Sequence, residues 1–186
     1  DLEKGNQFGY SFSVPFGSSD DEPGLFGRAH FYEHVYSRGS KKFPGHDTLI
    51  KAMSGFGYER NAATGFSYTF YYAKGHEKHG LDALRLNLAS LHGPELEASS
   101  LTREKATVID EVVTSAPARP ARAAFMLPFW LLPEDGHRLK GHLVGTRETL
   151  QAMTAEDLQK LHENIYHSGN VSLSVFANFT NGAYTR

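Results

Sequence analysis

The sequence predicts an α+β fold, with helices packed on one face of a mixed or antiparallel sheet. Three observations predict it. Segments with a helical period and segments that alternate strictly are interspersed along the chain. They lack the regular strand–helix–strand succession of a parallel sheet. No internal repeat or low-complexity linker divides the 186 residues, so residues 1–186 read as a single lobe.

The elements follow in order. Tyr10 to Phe16 alternates aromatic with small residues, as a half-buried strand does, and runs into a turn rich in Gly, Ser, Asp and Pro from Gly17 to Gly24. A helix is predicted from about Phe26 to Arg38, with Gly39 placed to end it. A short helix begins after Asp47 as N-cap and stops near Gly55-Phe56-Gly57. Tyr58 to Lys74 reads as a β-hairpin, with Phe66, Tyr68, Phe70 and Tyr72 on one face and Ser67, Thr69, Tyr71 and Ala73 on the other. The aromatic run is expected to be sheet core rather than a binding platform.

Glu77 to His92 has a helical period, with Leu81, Leu84, Leu88 and Leu91 as its stripe and Gly93-Pro94 as its stop. Further helices are expected over Leu101 to Thr114 and Pro120 to Leu132, the latter bent or broken at Pro128. Thr154 to Asp157 looks like a capping arrangement for a last helix reaching Tyr166, and Val171 to Phe176 alternates like a strand.

Composition narrows the function. A formal charge of −2 gives no electrostatic reason to expect nucleic acid or an anionic membrane as partner. No apolar run approaches the ~20 residues of a membrane-spanning helix. With no cysteine, any metal must be held by His, Asp or Glu. The lack of cysteine is compatible with periplasm, organelle matrix and cytosol. The bacterial periplasm or an organelle matrix is slightly favoured.

The sharpest feature is His30-Phe31-Tyr32-Glu33-His34, an H-x-x-E-H pattern on the first predicted helix. Histidines at i and i+4 project from one helical face, so both imidazoles can reach a single ion. Glu33 can approach the open position of that ion without becoming a ligand, where a carboxylate can activate a zinc-bound water. Phe31 and Val35 give the helix an amphipathic reading, with its polar ligands aimed inward.

A third ligand must come from elsewhere. Glu104 and Glu111 lie seven residues apart, two turns along one face of a later helix. One could ligate while the other holds a histidine ring by its remaining N–H. Asp110 points about 100° away from Glu111 and is a weaker candidate. Chemistry alone does not choose between the two glutamates. His76, His79, His137, His142, His162 and His167 read as surface or capping residues.

The run from Gly27 to His34, followed by Gly39 to Pro44, resembles the signature of the pitrilysin/insulinase metallopeptidases, the inverted zincins. Gly57, Asn61-Ala62, Thr64 and Thr69-Phe70-Tyr71 resemble that family's substrate-edge hairpin. Glu104 and Glu111 resemble its paired glutamates, and the 77 positions from His34 to Glu111 match its usual interval. Gly145-Thr146 and Met153 to Leu158 resemble the segment that closes the same unit.

The resemblance implies a half-lobe of the pitrilysin or mitochondrial processing peptidase type that acts as a zinc-dependent endopeptidase. One zinc ion per chain would be held by His30, His34 and Glu111. The catalytic positions would be Glu33, as base and proton shuttle, and Glu104, in support. Asn61, Ala62 and Ala63 would lie on an edge strand that binds the peptide substrate by β-augmentation.

Family members use two or more homologous lobes, and the distal lobe supplies an arginine and a tyrosine that no residue here replaces. The lobe reads as incomplete at both ends, so a second lobe or subunit is an expected partner. The alternative is a non-catalytic, peptide-binding or assembly subunit. His137-Arg138-Leu139-Lys140 departs from the family's His-Pro-Tyr-like sequence.

Overall fold

In the computed structural model, which describes residues 6–45, 47–115, 131 and 144–177, strand β1 (Gln7–Val14) organises the fold. Phe8, Tyr10, Phe12 and Val14 are buried and the residues between them are not, the two-residue period of a strand with one face on the core. The other strands are β2 (Glu59–Thr64), β3 (Thr69–His76) and β4 (Ser172–Phe176). The sheet order is β2-β3-β1-β4, and every pairing among these strands is antiparallel.

Among the described residues six α-helices accompany the sheet: α1 (Arg28–Tyr36), α2 (Thr48–Gly55), α3 (Gly80–Leu88), α4 (Ala98–Ser115), α5 (Arg147–Ala152) and α6 (Ala155–Ile165). They meet the sheet in two buried clusters. Phe12, Val14 and Tyr71 pack with Phe31, Tyr32 and Val35 of α1, Val108 of α4, Leu150 of α5 and Leu158 of α6. Phe8, Tyr10 and Ala73 pack with Leu49 and Met53 of α2 and Ala83 of α3. The sheet and helices therefore form the α+β arrangement expected of the sequence.

The core is rich in tyrosine, and its phenols are paired. Tyr10 Oη donates to the Ala83 carbonyl at 3.1 Å and Tyr36 Oη to that of Asn87 at 3.2 Å. Tyr71 and Tyr166 share a hydrogen bond of 3.1 Å, and Tyr32 Oη lies 2.6 Å from His162 Nδ1. A buried phenol brings a large apolar ring at little cost when its hydroxyl is satisfied.

His162 is therefore not a surface residue: it is buried against Tyr32. Burial, and then the charge of Lys41, lower its pKa from the usual histidine value. A depressed histidine pKa means that the unfolded chain binds more protons, so this stability is present above about pH 6.5 and is lost as pH falls through the folded value. The melting temperature of the wild type should therefore drop on acidification below about pH 6.5 relative to that of His162→Gln. Parallel pH curves for the two proteins would refute this.

Three sequence expectations are corrected. The face of β3 that is buried carries Thr69, Tyr71 and Ala73, while Tyr68 is 49% and Tyr72 38% exposed. Register decides this, not bulk: Val14, Phe12 and Tyr10 of β1 stand opposite Thr69, Tyr71 and Ala73. The predicted leucine stripe is only partly buried: Leu84, Leu88 and Leu91 pack against the two clusters, Leu81 is 41% exposed, and the fully buried positions of α3 are Gly80, Ala83 and Asn87. A Cβ on Gly80 would lie 2.4 Å from the Phe8 ring, so only the small side chains of α3 allow so close an approach. Finally, α1 is not amphipathic; seven of its nine residues are buried, the mark of a helix enclosed by its neighbours.

The capping arrangement at Thr154 is present: its hydroxyl accepts the Asp157 N–H at 3.2 Å, and the Asp157 carboxylate accepts the Thr154 N–H at 2.8 Å. Most of β4 is exposed rather than half-buried. The helix expected over Pro120 to Leu132 falls outside the described residues apart from Leu131, and His137 to Lys140 and His142 fall wholly outside them.

Candidate metal centre

The site is built on α1, and the start of that helix is fixed from a distance. Gly27, with φ 89°, precedes the helix in the left-handed region, and a Cβ there would lie 2.6 Å from Gly145 Cα. Only glycine satisfies both the dihedral and the close approach. The helix has no local side-chain cap. Instead the buried carboxylate of Asp21 accepts the Gly27 N–H at 2.8 Å and the Ala29 N–H at 3.0 Å. Burial pushes the Asp21 carboxyl up to about 7 against these two N–H bonds and the charge of Arg28, and its ionised form complements the helix dipole.

From α1, His30 and His34 project one turn apart with ring centroids at 4.8 Å. Glu111 of α4 reaches both: its Oε2 lies 3.8 Å from His30 Nε2 and 3.4 Å from His34 Nε2. One ligand atom from each of the three lies within 4.8 Å of the others. Ligands about 2.0–2.2 Å from a tetrahedral zinc stand about 3.3 Å from one another, so this donor set of two imidazoles and a carboxylate fits zinc after small adjustments.

Glu104, on the same face of α4, is turned to the other side of His34. Its Oε1 lies 2.9 Å from His34 Nδ1, while Arg38 binds it with Nε 2.8 Å from Oε2 and Nη2 3.2 Å from Oε1. Arg38 in turn donates Nη1–H to Asp47 at 2.8 Å. Burial raises the pKa of Glu104, but the hydrogen bonds and charges of His34 and Arg38 outweigh it and hold the carboxyl below its usual range. An ionised carboxylate only accepts, so Nδ1 of His34 carries a proton toward Glu104, which leaves Nε2, on the side of Glu111, as the nitrogen that could ligate a metal. Burial depresses His34, yet Glu104, with Glu33 and Glu111, leaves its pKa raised.

Glu33 stands beside this trio. Its Oε2 accepts the Thr64 hydroxyl at 2.5 Å, which ties α1 to β2. Burial pushes the Glu33 pKa above the usual carboxylate value, the Thr64 bond and His34 oppose this, and Glu111 adds to it. A groove of about 250 Å³ next to Glu33 and His34 is bounded by Arg38, Arg60, Asn61 and Ala62. Asn61, Ala62 and Ala63 lie on β2, which stands at one edge of the described sheet.

The five residues singled out on the two helices thus converge, and the three on β2 border the same groove or continue its strand. The contacts of Asp21, Arg38, Thr64 and His162 were not foreseen. Asp21 had one signal, an acidic residue in the turn before a helix that lacks a cap.

The chain belongs to the insulinase family of peptidases, peptidase family M16, whose model matches residues 4–126. An uncharacterised zinc protease of Bacillus subtilis, YmxG, is 26% identical over 164 residues, covering 88% of this chain and 39% of the relative. Protease 3 of Escherichia coli is 28% identical over 171 residues, covering 89% of this chain and 17% of the relative. The chain thus spans well under half the length of either relative.

The fold is that of pitrilysin, with a TM-score of 0.85 at 24% identity over 94% of this chain and 19% of that one. A protease from Helicobacter pylori gives a TM-score of 0.84 at 21% identity, covering 98% of this chain and 44% of its own. Among the described residues no helix is long and apolar enough to cross a membrane.

Proposed function

We propose that residues 1–186 form the zinc-binding catalytic lobe of an endopeptidase, with zinc held by His30, His34 and Glu111. The observation that carries this is the convergence of those three side chains beside a carboxylate, Glu33, that does not join them. The name of the B. subtilis relative, a zinc protease, supports the choice of metal. When bound, the cation polarises the scissile carbonyl and lowers the pKa of water toward ~7.

The chain's own residues do the rest. Thr64 occupies Oε2 of Glu33, so Oε1 accepts a proton from the attacking water. The water oxygen adds to the carbonyl carbon, the C–N bond breaks, and Glu33 returns the proton to the leaving nitrogen. Its raised pKa suits a group that must both take and give a proton near neutrality. Glu104 acts through His34, as a positioning residue.

Among the described strands β2 pairs only with β3. An extended peptide would add to its other edge, with main-chain hydrogen bonds from alternate residues along the Asn61-Ala62-Ala63 run. Asn61 Oδ1 already accepts the Ala62 N–H at 2.9 Å, a bond that the peptide would exchange.

The test is hydrolysis of unstructured peptides by the full-length protein with zinc, measured before and after chelation. Turnover should vanish with a chelator and return with zinc. Hydrolysis that survives complete zinc removal would refute the reading. A second reading is a non-catalytic peptide-binding or assembly subunit that needs a partner lobe, and the edge that β2 leaves open among the described strands fits peptide binding in that case too. Peptide binding without hydrolysis by the zinc-loaded protein would assign it.

A further inference from the structure

Strand β2 carries one cation that the proposed hydrolysis does not use. Arg60 falls on the same face of β2 as Ala62 and Thr64, the face from which Thr64 reaches Glu33. Its Nη1–H donates to the Ser37 carbonyl at 2.8 Å, just past the end of α1. That bond gives the residue a structural role, because the carbonyl end of a helix favours a cation. It uses only one of five guanidinium N–H groups.

Among the described residues no carboxylate pairs with Arg60. Of the acids in this region, Arg38 holds Asp47 and Glu104 at 2.8 Å each and Glu33 accepts from Thr64. Burial disfavours the charge of Arg60, yet a guanidinium stays ionised, so a charge this sheltered gains from a partner of opposite sign. The groove it borders is shared with Glu33, His34, Asn61 and Ala62. A space of about 250 Å³ is smaller than most ligand pockets and suits one peptide side chain or terminus.

We propose that Arg60 is a specificity-determining residue whose guanidinium, set between the edge strand and the end of α1, recognises a carboxylate of the bound peptide. The inference rests on the peptidase reading above. The planar fork of arginine suits a carboxylate, and the source of that group is either an acidic side chain near the cleaved bond or the peptide's own C-terminus.

The experiment compares peptide pairs that differ only in Glu against Gln at each position flanking the bond, all with amidated C-termini. A further pair differs only in a free or amidated C-terminus. The full-length zinc protein should favour the acid by about tenfold in kcat/KM, the size of one charge-assisted hydrogen bond. Anisotropy with the Glu33→Gln protein should show a similar ratio in Kd.

Arg60→Gln, which can still donate to the Ser37 carbonyl, should bring the ratio close to one, and Arg60→Glu should invert it, which loss of a helix cap alone would not do. A preference confined to the internal Glu peptides identifies a side chain as the source, and one confined to the free-terminus pair identifies the C-terminus. Equal values for acid and amide in the wild type, or a preference that survives both substitutions, would overturn the proposal. Absence of hydrolysis with the binding ratio intact would count against the peptidase reading and leave the role of Arg60 standing. Hydrolysis without any acid preference would do the reverse.

Discussion

Replacing Glu33 by Gln is expected to lower kcat by about 10²–10⁴-fold, the usual contribution of a general base, while zinc still binds stoichiometrically. The amide has nearly the shape of the carboxylate, and its carbonyl oxygen can still accept the Thr64 hydroxyl, now 2.5 Å from Oε2. What it cannot do is take a proton from water. The melting temperature should therefore change little, since the strut between α1 and β2 is kept. Removing Thr64 instead would cut that strut without touching the base, so the two effects are separable. Kinetics and a zinc assay on the same preparation make the check. Undiminished turnover in the Glu33→Gln protein would sink the assignment of Glu33 as base.

The helix bearing His30, Glu33 and His34 was legible because spacing alone puts i and i+4 on one face. The glutamate pair on α4 was legible for the same reason: seven residues is two turns, wherever the helix packs. Contacts that cross the fold were not. Asp21 caps α1 from six residues before Gly27, and no helical or strand period links them. The Tyr32–His162 bond spans 130 positions, so nothing local distinguished His162 from a surface histidine.

The misjudged faces have a different origin. Alternation shows that β3 has two faces but not which one turns inward; that was set by pairing with β1. In α3 the leucines Leu84 and Leu88 pack at the margin of the core, while the closest approach, to Phe8, falls on Gly80. Hydrophobicity ranks residues by transfer energy, whereas the gap between two elements ranks them by size.

Glu104 and Glu111 should separate cleanly when each is replaced. Glu111→Ala is expected to abolish stoichiometric zinc binding with little effect on folding, because its side chain is 48% exposed while its Oε2 faces both histidines. Glu104→Gln should instead weaken zinc by about 10–100-fold, the usual effect of losing the group that orients a ligand histidine. The asymmetry follows from the two environments. Glu104 has a side chain only 2% exposed, wedged between His34 and Arg38, so removing its charge leaves Arg38 without one of its two acids and frees the His34 ring to turn. Glu104→Ala should accordingly destabilise the protein by about 1–3 kcal/mol, the cost of losing hydrogen bonds to charged groups, because Arg38 keeps Asp47 and is 27% exposed. Titrating zinc into each variant alongside thermal melts gives both readouts from one sample. If the Glu104 variants lost all zinc while Glu111→Ala kept it, the two glutamates would exchange roles, and the tautomer argued for His34 would fall with that result.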